Sequence, residues 1–232
     1  MKTNPGLNYD GVLVRRDGLS MHNNQQTMLL QDAINAYELD VMDEAISKFL
    51  LLADSDNMPE VFQYLYFIYK NGDGVSVDIE KADTFRKRYT DTVRRLALAG
   101  NKEWKLKLAY MYFYGDGVPQ DNKQAMEMFN ELASVGHTEA QFILWKIFKS
   151  NPSMSSEEGL YWLQEAAKQG HTEAMYTVAS LMLIGKLGAE NARNEAICLL
   201  TQSAAKDFLP AEELLRKMRS RKLEMLRMKK TA

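Results

Sequence analysis

Cysteine is almost missing from this chain: its 232 residues include one, Cys198. A lone cysteine excludes an intramolecular disulfide and fits a reducing compartment. Lying between Ile197 and Leu199 in a helical pattern, it is expected to pack as a small buried residue rather than act as a reactive thiol. Histidine is also scarce, at three residues, and neither an HExxH nor a CxxC spacing occurs. No nucleophile–base arrangement is legible, so no catalytic, cofactor-binding or metal site is assigned and no small-molecule substrate is expected. No segment approaches the roughly 18 apolar residues that span a bilayer, and residues 1–10 lack the apolar core of a signal peptide. The expected location is cytoplasmic. Neither sign of charge dominates: 29 Lys and Arg against 31 Asp and Glu give a net −2. The resulting pI near 6.0 argues against bulk affinity for nucleic acid.

What the chain has is repetition. An apolar run ending at Tyr114 meets Gly115-Asp116-Gly117-Val118, and one ending at Tyr69 is followed by Gly72-Asp73-Gly74-Val75. In each copy an alanine, Ala125 or Ala82, lies eight residues beyond the second glycine. This pattern predicts a helix stopped by a left-handed glycine, a tight reversal, then a second helix. A phosphate-binding glycine loop would need a preceding strand and a third glycine, and has neither. From Ala125, further steps of eight, three and four residues give Ala133, Gly136 and Ala140. The same steps from Gly159 give Ala167, Gly170 and Ala174, and from Ala196 they give Ala204, Asp207 and Ala211. Successive unit starts at Val61, Trp104, Ala140, Ala174 and Ala211 are spaced 43, 36, 34 and 37 residues apart, the mark of a helical repeat array.

These residues resemble the Sel1-like repeat, a relative of the tetratricopeptide repeat. The third unit carries the resemblance best, through Leu108, Ala109, Tyr112, Gly115, Gly117, Val118, Asp121, Ala125, Ala133 and Gly136. The likeness covers roughly residues 61–211. It implies an all-α fold, a right-handed α/α superhelix (solenoid) of about five helix-pair repeats with a C-terminal capping helix. The cysteine pair that some secreted members carry in every repeat is missing, so the hydrolase activity attributed to that branch gains no support.

In chain order, residues 1–24 are read as an irregular arm, 25–58 as a degenerate first helix pair, 59–208 as the repeats and 209–232 as a basic helix. The second helix of unit two is longer than its counterparts by seven residues, close to two turns, so its apolar face stays in phase. It is expected to protrude, carrying Arg86, Lys87, Arg88, Arg94 and Arg95 either as a solvated face or as a contact site. Residues 212–230 hold eight Lys or Arg and three Glu. Leu214, Leu215, Met218, Leu223 and Leu226 make that segment amphipathic, suiting a cap or a contact helix for an acidic partner or anionic membrane. Association of copies through this helix is a further option.

His137 and His171 hold one slot in consecutive units. Stacked repeats lie on the order of 10 Å apart, too far to share a metal, so both are read as structural. Asp73 and Asp116 are expected to accept local backbone hydrogen bonds in their turns. Tyr69, Tyr112 and Phe148 fill the repeat's aromatic slot and should be core. Tyr66, Tyr110, Trp145 and Tyr176 lie off that slot, on the first helices that the resemblance places along a concave groove. Together with Arg86, Arg94, Arg219 and Lys222 they form the candidate partner-binding set. The function expected is a non-catalytic scaffold or adaptor that binds another protein; a regulator and a bacterial toxin-neutralising immunity or inhibitor protein are both compatible. The competing classes are a hydrolase acting on cell-wall material and association through the basic helix.

Overall fold

The computed structural model describes residues 24–54, 58–188 and 191–231, with side chains as far as residue 221. The arm expected over residues 1–24 lies outside these, apart from Asn24, and so does the side chain of Lys222. Among the described residues there are eleven α-helices and no strand, the all-α repeat class expected. The chain divides into two compact units, Met1–Ala125 and Met126–Ala232.

The first unit holds α1 (Asn24–Glu38), α2 (Met42–Leu52), α3 (Pro59–Asn71), α4 (Ile79–Leu98) and α5 (Lys102–Tyr114). Local chemistry sets the helix ends. Pro59 opens α3, where its missing N–H costs nothing. The side chain of Asp78 accepts from Lys81 N to start α4, and that of Asn101 from Glu103 N and Trp104 N to start α5. Gly72 and Gly115 close α3 and α5 in the left-handed conformation, at φ 78° and 72°. The second glycine of each turn does something different. At Gly117 a Cβ would stand 2.7 Å from Thr90 Oγ1 of α4, and at Gly74 it would collide with Met42 Cβ of α2. Each turn is thus pressed against a helix of the preceding pair.

The aspartates between these glycines also reach backwards. Tyr37 of α1 donates its hydroxyl to Asp73 Oδ2 at 3.2 Å, and Arg86 of α4 pairs with Asp116 Oδ1 at 3.1 Å. The expected local backbone role gives way to one tying each turn to the helix pair before it. The sequence could not reveal this, because the partners lie 30 or more residues upstream. Between the pairs, Tyr64 stacks on Phe49 (4.8 Å) and meets Tyr37 edge-on (5.3 Å).

At 20 residues, α4 exceeds the 13 of α6 and α8 by the predicted seven. Its basic residues are not all a projecting face, however. Arg88 donates to Ala53 O at 2.6 Å and lies over the Phe62 ring, while Arg86 holds Asp116. Those two guanidinium groups clamp neighbouring pairs, Arg94 is half-buried beside Asp91, and Lys87 and Arg95 are exposed.

The boundary between the units falls in α6 (Asn122–Ser134); the second unit continues with α7 (Thr138–Ser150), α8 (Ser156–Lys168), α9 (Thr172–Leu183), α10 (Ala192–Ala204) and α11 (Leu209–Thr231). Its core contains Phe142, Leu163, Ala166, Met175 and Val178, and a second cluster joins Ala179, Ala196, Leu200 and Ala211. Gly159 of α8 lets α7 approach, since a Cβ there would sit 2.8 Å from Phe148 Cβ. Both histidines cap helices: His137 Nδ1 accepts from Ala140 N, and His171 Nδ1 accepts from Ala174 N. His171 also places Nε2 2.9 Å from Glu139 Oε2 of the preceding pair. An amide relay runs beside it from the surface inward, exposed Gln169 donating to Gln141 (3.0 Å) and buried Gln141 to Ala133 O (3.1 Å).

Leu214, Leu215 and Met218 of α11 pack on the second cluster. The first half of this helix is therefore a cap, and Arg219 is exposed beside it. Cys198 is exposed on α10, contrary to the buried packing expected, with Gln202 Nε2 3.6 Å from its sulfur. The apolar neighbours misled here: Leu200 and Ala196 face the core, which turns Cys198 outward.

Candidate functional site

In the first unit, the Gly115–Gly117 turn is flanked by two hollows that share Arg86, Thr90 and both glycines. One, of about 410 Å³, has aromatic and thioether walls: Tyr66 and Phe67 from α3, Tyr89 from α4, Met111 and Tyr114 from α5. Gln63, Lys70 and Asp116 add polar groups to it. The other, of about 530 Å³, lies along α4 and is lined by Asp83, Lys87, Asp91 and Arg94, with Val118 and Pro119 opposite.

Arg86 forms the divide. It donates through Nη2 to Asp116, and its guanidinium lies 5.6 Å from the centre of the Tyr66 ring. Lys70 Nζ sits 5.1 Å from the same centre and donates to the Tyr66 hydroxyl at 2.9 Å. Tyr66 is thus attended by two cations, whose positive charge its negative π-faces favour. Burial pushes the Asp116 carboxyl above its ordinary range. Tyr114 stands at the rim, 46% exposed.

Behind the Tyr89 wall lies a second polar pair. Glu60 Oε2 and the Tyr89 hydroxyl are both buried with no hydrogen-bond partner. Loss of water pushes the Glu60 carboxyl up to about 7, and burial, followed by the charge of Glu60, pushes the Tyr89 phenol up.

Of the candidate set, Tyr66, Arg86 and Arg94 come together around these hollows. Tyr110 does not join them: it is only 7% exposed and stacks along Tyr114 inside α5, which leaves little of it to offer a partner. Trp145 and Tyr176 belong to the second unit. Trp145 is half-buried, stacked on Phe142 at 5.2 Å with Lys149 Nζ over its ring, and Tyr176 meets Phe208 edge-on. Arg219 lies on α11, outside both hollows. Of the aromatic-slot residues, Tyr69 and Phe148 are core and Tyr112 is half-buried. Sequence reasoning missed Gln63, Lys70 and Thr90. Their one signal was spacing, since Gln63 and Lys70 lie three and four residues either side of Tyr66, on the same helix face. Among the described residues no group of three or more His, Cys, Asp or Glu could hold a metal ion, and no helix is long and apolar enough to cross a membrane.

The Sel1 repeat matches residues 62–82, 105–137 and 155–171. Chitin synthase regulatory factor 4 of Schizosaccharomyces pombe is 35% identical over 86 residues, which are 37% of this chain and 13% of that protein. The chain therefore spans only a small part of this relative's length. A solved Sel1 repeat protein from Oxalobacter formigenes aligns at a TM-score of 0.54 and 22% identity, covering 81% of this chain and 74% of its own. The protective antigen c5321 of uropathogenic Escherichia coli, which displays an SLR fold, aligns at 0.48 and 22% identity over 90% of this chain and 51% of its own. Glycine turns, alanine steps and matched segments agree: this chain carries Sel1-like repeats.

Proposed function

We propose that this protein is a non-catalytic adaptor that binds another protein through the surface around the Gly115–Gly117 turn. Sel1 repeats generally serve as protein–protein interaction modules. The observation that carries the reading is the pair of adjoining hollows at that turn, one aromatic and one charged, sharing Arg86. A preformed surface of this kind favours binding because little side-chain freedom remains to be lost. Between regulator and toxin-neutralising inhibitor, the relative named as a regulatory factor favours the first.

The test is affinity capture from the host's own lysate, read by mass spectrometry. Wild type is compared with Tyr66→Ala, Trp145→Ala and a chain ending at residue 221. That end point keeps Leu214, Leu215 and Met218 in the core. One dominant partner lost only with Tyr66→Ala supports the reading. A partner lost only with the shortened chain moves the site to the basic helix, and loss only with Trp145→Ala moves it to the second unit. No partner in any arm overturns the adaptor.

A further inference from the structure

The two hollows differ in chemistry while sharing one edge, and that combination constrains what fits. The aromatic hollow, at about 410 Å³, is within the size range of pockets that bury a small ligand or a large side chain. Its exposed rim residue, Tyr114, is apolar over most of its surface. Around both hollows stand four cations, Lys70, Arg86, Lys87 and Arg94, against three carboxylates, Asp83, Asp91 and Asp116, on a chain of net charge −2. The local sign is therefore opposite to that of the whole.

Arg86 gives Asp116 one Nη2 contact, and a guanidinium carries five N–H donors. A ligand carboxylate can therefore join Arg86 without displacing Asp116. At the Tyr66 ring a cationic ligand has no such opening, because Lys70 and Arg86 already attend it. Gly115 and Gly117 line both hollows, so a chain crossing this turn meets the two together. We infer that this turn is the docking site for an extended acidic peptide segment of the partner. One aromatic side chain of that segment enters the aromatic hollow, and a neighbouring carboxylate bridges Arg86 and Lys70. The inference rests on the adaptor reading and specifies the chemistry of the partner.

The test uses the full chain, labelled with nitrogen-15, and follows the amide signals of Gly115 and Gly117. The probe is a short end-capped peptide with one tryptophan flanked by aspartates. Its counterparts replace the tryptophan by alanine or the aspartates by lysines, and a thymidine oligomer serves as a further arm. The expected result is a Kd of about 1 mM or tighter, with shifts centred on the turn. Each altered peptide should bind at least about tenfold more weakly, a step of about 1.4 kcal/mol. Arg86→Gln should abolish the preference for aspartate over lysine. Lys70→Gln, at an exposed position, should weaken it severalfold with the rest of the spectrum unchanged.

No shift at the turn at about 1 mM peptide, equal binding of the lysine peptide, or equal binding of the thymidine oligomer overturns the inference. If Tyr66→Ala loses a captured partner while the acidic peptide leaves the turn unmoved, the adaptor stands and this chemistry falls. If capture also yields nothing, both fall.

Discussion

Replacing Glu60 by glutamine should change how the stability of this protein depends on pH. The carboxyl lies at the start of α3 with Oε2 buried and unpartnered, and burial lifts its pKa from the ordinary 4.5 to about 7. Between those values the folded protein keeps a proton that the unfolded chain has released. Stability contributed by Glu60 is therefore fully present below pH 4.5 and declines as pH rises through about 7. A tenfold change in proton affinity corresponds to about 1.4 kcal/mol, so the whole interval is on the order of 3 kcal/mol. Glutamine keeps the shape and removes the titration. Urea unfolding of both proteins at several pH values from 5 to 8 isolates the effect, because every other group titrates alike in the two. Near pH 5 the two should be of similar stability; by pH 8 the variant should gain about 2–3 kcal/mol relative to wild type, with unchanged m-values. Parallel pH profiles would show that water or an ion reaches Glu60, and would refute the argument from burial.

Four further outcomes follow from the geometry. His171→Ala should cost about 1–2 kcal/mol of thermal stability, while His171→Asn should recover most of it, because asparagine can still cap α9; equal losses would put the weight on the Glu139 contact. Gly117→Ala, strained at φ 73° and crowded by Thr90, should cost about 2–4 kcal/mol in urea unfolding. Gly185→Ala, at the same φ with open space around it, should cost only about 1–2 kcal/mol. Cys198 should react with a thiol reagent in the native protein as fast as in urea, since it is exposed; a reaction that waits for denaturant would restore the buried assignment.

The repeats were legible because their causes are local. A left-handed glycine ends a helix wherever it stands, alanines recurring at a fixed step mark close helix packing, and the seven extra residues of α4 could be counted directly. Pro59 in the first turn of α3 and Ser155, whose hydroxyl accepts from Glu158 N, start their helices by equally local rules. The tertiary structure decided what each polar side chain meets. Asp73 and Asp116 bind helices of the preceding pair, Arg88 turns back to Ala53, and His171 reaches Glu139, all across 30 or more residues. No spacing rule reaches that far, since only the stacking of one pair on the next fixes these distances. For the same reason Tyr66, Arg86 and Arg94 converge on one turn while Tyr110, picked on equal grounds, is buried. Helical periodicity gives a residue its face, but which faces are covered is settled only when the neighbouring helices arrive.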